Sequence, residues 1–129
     1  MAVDGNNNLI LSSHELKEVI DDFEKSLTPY TKIERKEIMR AVSWAQKLHE
    51  GQKRASGEPY IIHPVASTGI LVELKLDSPT IIGSLLHDVL EDTSININAI
   101  KDEFGEEVAM LVDGVTKIDI MEVGDKFIQ

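Results

Sequence analysis

The stretch LLHDVLEDT sets His87 beside Asp88 and brings Glu91 and Asp92 one helical turn later, and His63 stands upstream in YIIHPV. Imidazole nitrogens and carboxylate oxygens together make a ligand set for Mn, Fe or Zn. A metal with open positions activates water and binds phosphoryl oxygens, and carboxylates beside it are free for acid/base work. On a helix, His87 and Glu91 are four apart, as are Asp88 and Asp92, while Asp88 and Glu91 are three apart. If the helix continues that far, all four side chains converge on one end. His63 arrives from a different segment, as a three-dimensional ligand cage requires.

Each residue also has a plainer reading. A His-Asp dipeptide matches often by chance, with His87 then a hydrogen-bonded core histidine and Asp88 a helix-end surface residue. The upstream His63 and the downstream pair turn the balance toward a metal site. An Asp near the end of an otherwise apolar helix is costly to bury unless paired or metal-bound. Glu91 and Asp92 could equally be exposed carboxylates next to Thr93; helical register raises Glu91 above that and leaves Asp92 evenly divided. Arg54 and Ser56, in a Gly-bearing loop, are either solvated or contact a phosphate or a base, since Arg grips phosphate and stacks on planar rings. His49, near a helix C-terminus, suits the helix dipole better than a metal. His14 is expected exposed, and Trp44 packed in the core or an interface.

The elements that would position these groups all read as helix. Ser12 with Glu15 and Thr31 with Glu34 are capping boxes. The first opens a helix bearing Leu16, Val19, Ile20 and Phe23. The second opens one over about 32–50, with Ile38, Ala41, Val42, Ala45 and Leu48 at helical spacing and Gly51 as its C-cap. Residues 51–62 carry two glycines and a proline and read as a loop that delivers His63 before Pro64. A helix over about 64–75 follows. Asp77 or Ser78 caps the next, over about 79–90, whose Ile81, Ile82, Leu85, Leu86, Val89 and Leu90 make it apolar nearly all round and therefore central. Asn96 caps a short helix ending at Gly105, and another covers about 106–113. No segment reads as a convincing strand.

The 129 residues fit one domain, with 42% hydrophobic residues and no cysteine. The absence of cysteine excludes disulfides and thiolate metal sites and suits a reducing cytoplasm. No apolar run reaches the length of a membrane span, and MAVDGNNN has no signal-peptide pattern. The net charge of −10 comes wholly from residues 56–129, since 1–55 are balanced. That argues against DNA binding through a broad basic face. Part of the acidic excess could surround a cation, which would also let an anionic substrate approach.

HEGQKRASGEPYIIHP, LLHDVLEDT, and FGEEV with LVDGVTKI closely resemble successive blocks of the RelA/SpoT family, which makes and destroys the alarmone (p)ppGpp; the resemblance runs from about Ala41 to Ile118. It implies an all-α HD-type hydrolase domain that uses one Mn²⁺ to cleave the 3′-pyrophosphate from (p)ppGpp. On that resemblance His63, His87 and Asp88 match three metal ligands, Glu91 and Asp92 the catalytic carboxylate pair, and Arg54 and Ser56 the loop that holds the guanine nucleotide. The family's fourth ligand is an Asp in a later helix, in a block like LADRLHNMRT. No such block precedes Gln129, and Asp113, Asp119 and Asp125 stand in other contexts. Ala55 also departs from the pattern, where a basic or polar residue is frequent.

The expectation is therefore an all-α, partial HD-domain bundle: an N-terminal leader and helix over 1–30, then an HD hydrolase domain over 31–129 that is truncated at its C-terminal end. The function implied is metal-dependent (p)ppGpp 3′-pyrophosphohydrolysis in the stringent response, in the cytoplasm, without DNA or membrane partners. The 129-residue chain by itself is expected to be weakly active or inactive and to expose an apolar face through which it self-associates. Alternatives are an HD phosphohydrolase acting on another nucleotide and a non-catalytic nucleotide- or partner-binding helical module.

Overall fold

In the computed structural model, residues 2–3, 9–10, 13–50 and 59–115 are described. Two-residue strands β1 (Ala2–Val3) and β2 (Leu9–Ile10) pair antiparallel. The longer described elements are helices: α1 (Ser13–Lys25), α2 (Lys32–Leu48), α3 (Ile62–Glu73), α4 (Ser78–Asp92), α5 (Ile97–Phe104) and α6 over 106–115. The all-α expectation holds, with the small N-terminal pairing as an addition among the described residues.

The helix starts follow from local chemistry. Thr31 Oγ1 accepts from the Glu34 N–H at 3.1 Å and Glu34 returns a 2.9 Å acceptor to the Thr31 N–H, so the second capping box forms in full. Asp77 accepts from the Thr80 N–H and Asn96 from the Ala99 N–H, both at 3.1 Å, which satisfies donors that no helical carbonyl reaches. Ser12 and Gly51 lie outside the described residues. The C-cap of α2 is His49, two residues before the glycine expected there.

The connection from α3 to α4 is a Schellman turn. The Lys75 N–H donates to Val72 O at 2.9 Å and the Leu76 N–H to Leu71 O at 3.3 Å. Lys75 adopts φ 60°, a left-handed conformation that ordinarily favours glycine. Tyr30 Oη ties the far side by donating to Leu76 O at 2.6 Å.

α4 packs against both α2 and α3, and its Ile81, Ile82, Leu85, Leu86 and Val89 are buried. Phe23 and Leu27 from the α1 region, Ile38, Val42 and Ala45 from α2, Val65 and Val72 from α3, Ile100 from α5 and Val112 from α6 complete one core. α6 packs on α4 at Gly83, where a Cβ would stand in ordinary contact 3.5 Å from Leu111 Cβ. Between α3 and α4, the fully buried Thr68 shares a 2.8 Å hydroxyl hydrogen bond with Ser84. Arg40 on α2 reaches α5 through Glu103 and stacks 4.2 Å above the Phe104 ring, whose edge meets Trp44. Trp44 is thus a packing residue, as expected.

Candidate metal and acid/base site

The helix that carries the His-Asp pair runs to Asp92, two residues beyond its expected end. Thr93 closes it: its N–H and its hydroxyl both donate to Val89 O, at 3.1 and 2.6 Å. His87, Asp88, Glu91 and Asp92 therefore share one continuous helix. His63 lies in the first turn of α3 and not in the loop before it, because α3 begins at Ile62.

The two segments meet. His63 Nε2 lies 3.9 Å from Asp88 Oδ2, His87 Nδ1 lies 3.3 Å from Asp88 Oδ1, and His87 Nε2 lies 3.2 Å from Glu91 Oε1. Ligand atoms of His87, Asp88 and Glu91 all fall within 4.8 Å of one another. Two atoms bound to one ion at about 2.0–2.3 Å can stand up to about 4.6 Å apart, so small side-chain rotations suffice to share a cation. The charge pattern fits as well. Carboxylate oxygens face both ring nitrogens of His87, but a neutral imidazole has only one N–H to offer. The arrangement suits positive charge at this point, and its mixed nitrogen and oxygen donors suit a divalent transition metal. His87, Asp88 and Glu91 together form a candidate divalent-metal site.

Asp88 is the least exposed of these side chains, at 17% against 46% for His63. The hydrogen bond from His87 holds its carboxyl below the ordinary aspartate range. Burial opposes that shift, and the charges of His87, His63 and His49 add to it.

Asp92, at the end of α4, accepts a short hydrogen bond from Tyr60 Oη, and Oδ2 is the accepting atom. The Tyr60 ring stacks on His49, with centroids 4.5 Å apart and planes 10° from parallel. His49 is 3% exposed. It stands at the C-terminus of α2, where a dipole-complementing role is expected, and its ring is buried against an aromatic. Sequence reasoning missed Tyr60; its place three residues before His63 was the available signal.

Arg54 and Ser56 lie outside the described residues, as do Asp119, Asp125 and the side chain of His14. Asp113 is on α6 and is not part of the His87–Asp88–Glu91 group. An open cleft of about 230 Å³ adjoins the site, lined by Leu71, Thr80, Gly83, Ser84, His87, Leu111 and Val115. Leu74, Met110, Leu111 and Val115 leave apolar surface exposed, and Leu111 and Val115 also line this cleft. No described helix is long and apolar enough to cross a membrane.

Known proteins share these segments. A guanosine-3′,5′-bis(diphosphate) 3′-pyrophosphohydrolase of Aquifex aeolicus is 52% identical over 98 residues, covering 76% of this chain and 14% of the relative. The bifunctional (p)ppGpp synthase/hydrolase SpoT of Escherichia coli K12 is 50% identical over 91 residues, 70% of this chain and 13% of the relative. A GTP pyrophosphokinase of Streptomyces coelicolor is 48% identical over 90 residues, 70% of this chain and 11% of the relative. The chain thus spans only about an eighth of the length of such relatives. The HD-domain family profile matches residues 41–126, a span that holds the whole cluster built above, and the chain belongs to the HD-domain family.

Proposed function

We propose that this chain is the hydrolase part of a cytoplasmic (p)ppGpp 3′-pyrophosphohydrolase. The observation that carries the reading is the meeting of His63 from α3 with His87 and Asp88 from α4, in a chain about half identical to relatives named for that reaction. The 1–30 and 31–129 division, with the HD part beginning near α2, belongs to the same proposal.

His63, His87 and Asp88 would hold the ion, with Mn²⁺ assigned by resemblance. When bound, it supplies Lewis acidity toward the phosphoryl oxygens and lowers the proton affinity of water. Glu91 takes the proton of the attacking water and Asp92 supports it. The water oxygen bonds to the phosphorus attached to the 3′ oxygen, and the bond between them breaks. Pyrophosphate leaves, and the 3′ oxygen ends as a hydroxyl with the proton passed on by Glu91. One water is consumed, and ppGpp yields GDP or pppGpp yields GTP. Arg54 and Ser56 grip the nucleotide away from the reacting bond. The assignment of Glu91 as base and not ligand rests on the resemblance, since its carboxylate sits in the same cluster as the ligands.

The test is pyrophosphate release from ppGpp by the full gene product with Mn²⁺. We expect His87→Ala to abolish both Mn²⁺ binding and turnover, and Arg54→Ala mainly to raise KM, because it removes binding common to the ground and transition states. Unchanged turnover in His87→Ala would refute the site. The exposed apolar side chains of Leu111 and Val115, four apart on α6 and lining the same cleft, are read as part of a self-association surface, which a non-associating monomer in sizing chromatography would contradict.

A further inference from the structure

We propose that Tyr60 is a positioning residue that fixes the carboxylate of Asp92 for the hydrolytic step. The inference rests on the role given to Asp92 above and adds a residue from outside α4 to it.

Asp92 occupies the last position of its helix, where a short side chain has backbone support on one side only. Helix ends fray, and a carboxylate there has several rotamers of similar energy. Near-attack geometry tolerates little of that freedom, because a displacement of about 1 Å can lower a rate by about 10²-fold. Tyr60 restricts that freedom. Its hydroxyl donates to Oδ2 of Asp92, which fixes one oxygen and with it the plane and direction of the other. Such a hydrogen bond to a charged acceptor is stronger than a neutral one.

The donor is itself held. Tyr60 lies on the buried His49 ring, with near-parallel planes at 4.5 Å. His49 caps α2, and α2 packs along α4. A chain of contacts therefore runs from the C-terminus of α2 through two stacked rings to the carboxylate at the end of α4. Glu91, one residue earlier, faces His87 Nε2. Adjacent carboxylates are thus directed by different partners, Glu91 by the ligand cluster and Asp92 by the tyrosine. That separation lets the two take different parts in moving one proton.

Tyr60→Phe deletes the donor and keeps a ring to stack on His49, so it separates the hydroxyl from the packing. In the full gene product with Mn²⁺, we expect Tyr60→Phe to lower kcat for pyrophosphate release by about tenfold, with KM within about twofold. In an Asp92→Asn background the same change should have no further effect on kcat, because the residue it acts through is already disabled. An independent readout is the ¹³Cζ resonance of the chain's two tyrosines. Asp92→Asn should move the Tyr60 signal and leave that of Tyr30, whose hydroxyl donates to Leu76 O. A full loss of kcat in both backgrounds, a change in KM alone, or an unmoved Tyr60 resonance would overturn the proposal. If Asp92→Asn itself leaves kcat unchanged, the functional reading of Asp92 fails instead, and the resonance still decides whether the tether exists.

Discussion

The first nine residues of α4 and the stretch from His87 to Asp92 share one helix but answer to opposite constraints. In the first part Ile81, Ile82, Leu85 and Leu86 are at most 5% exposed and face α2 and α3. From His87 onward, His87 and Glu91 keep 22% and 38% of their side-chain surface, and the polar atoms named there face polar partners. Apolar burial adds stability roughly in proportion to area, whereas partly buried charges seldom add any and can subtract. The difference teaches that α4 is anchored at one end so that its other end can hold groups a free helix terminus would let fray. Stability and chemistry should therefore separate along the helix, and substitutions can test whether they do.

The largest effect should come from the last turn. Glu91→Gln removes a proton acceptor while keeping shape. We expect turnover of the full gene product to fall by about 10²–10⁴-fold, with stability within about 0.5 kcal/mol of the parent because the site is partly exposed. Mn²⁺ titration and denaturant unfolding check both halves. A lost metal would make Glu91 a ligand, and full turnover would make it a bystander.

Leu85→Ala should do the reverse. Leu85 is fully buried, and truncation there should cost about 2–5 kcal/mol. Activity per folded molecule should persist at low temperature, where the fold survives. If Leu85→Ala removed metal binding from a protein still folded by circular dichroism, the two halves of α4 would not be separable.

A smaller effect tests the helix on which α4 rests. Thr31→Ala removes the α2 cap and should cost about 1 kcal/mol. Its partner Glu34 gives this contact a pH signature. The hydrogen bond from the Thr31 backbone N–H lowers the Glu34 pKa. A carboxyl with a depressed folded-state pKa contributes stability that is full above its unfolded value and is lost as pH falls through the folded one. The stability difference between the parent and Glu34→Gln should therefore shrink as pH drops below the ordinary glutamate range. A difference independent of pH would show that the carboxylate charge plays no part in the cap.

Much of this was legible in the sequence, for physical reasons that differ by element. Thr31, Asp77 and Asn96 announced their helices because an N-cap is a local bond between residues three apart. The apolar run of α4 announced its own burial. The end of α4 was harder: Thr93 extends the helix to Asp92 with a side-chain bond to Val89 O, and threonine is not a common stop signal. Tyr60 and the buried His49 escaped because their roles exist only through contacts across the fold, 32 residues apart in the case of Tyr60 and Asp92. The approach of His63 to Asp88 and of His87 to Asp88 followed from type and spacing, but the 3.2 Å approach of Glu91 to His87, which ties the proposed base to the same cluster, depended on the helix continuing past Leu90.

The smallest expected effect lies at the start of α4, where anchoring begins. Lys75 holds φ 60° in the Schellman turn that ends α3. A β-carbon in the left-handed region crowds its own backbone by about 1–2 kcal/mol, a cost glycine does not bear. Glycine in turn loses more entropy on folding, which returns part of the gain. Lys75→Gly should therefore stabilise by about 0.5–1 kcal/mol, a rise of roughly 2–5 °C in Tm for a chain of this size. The turn's two hydrogen bonds to Val72 O and Leu71 O involve only the backbone, so the direction in which α4 leaves should not change. Turnover and Mn²⁺ affinity should then match the parent. A stabilised protein with altered metal affinity would mean that the strain at Lys75 is transmitted along α4 to His87 and Asp88, and that the two ends of the helix are coupled after all.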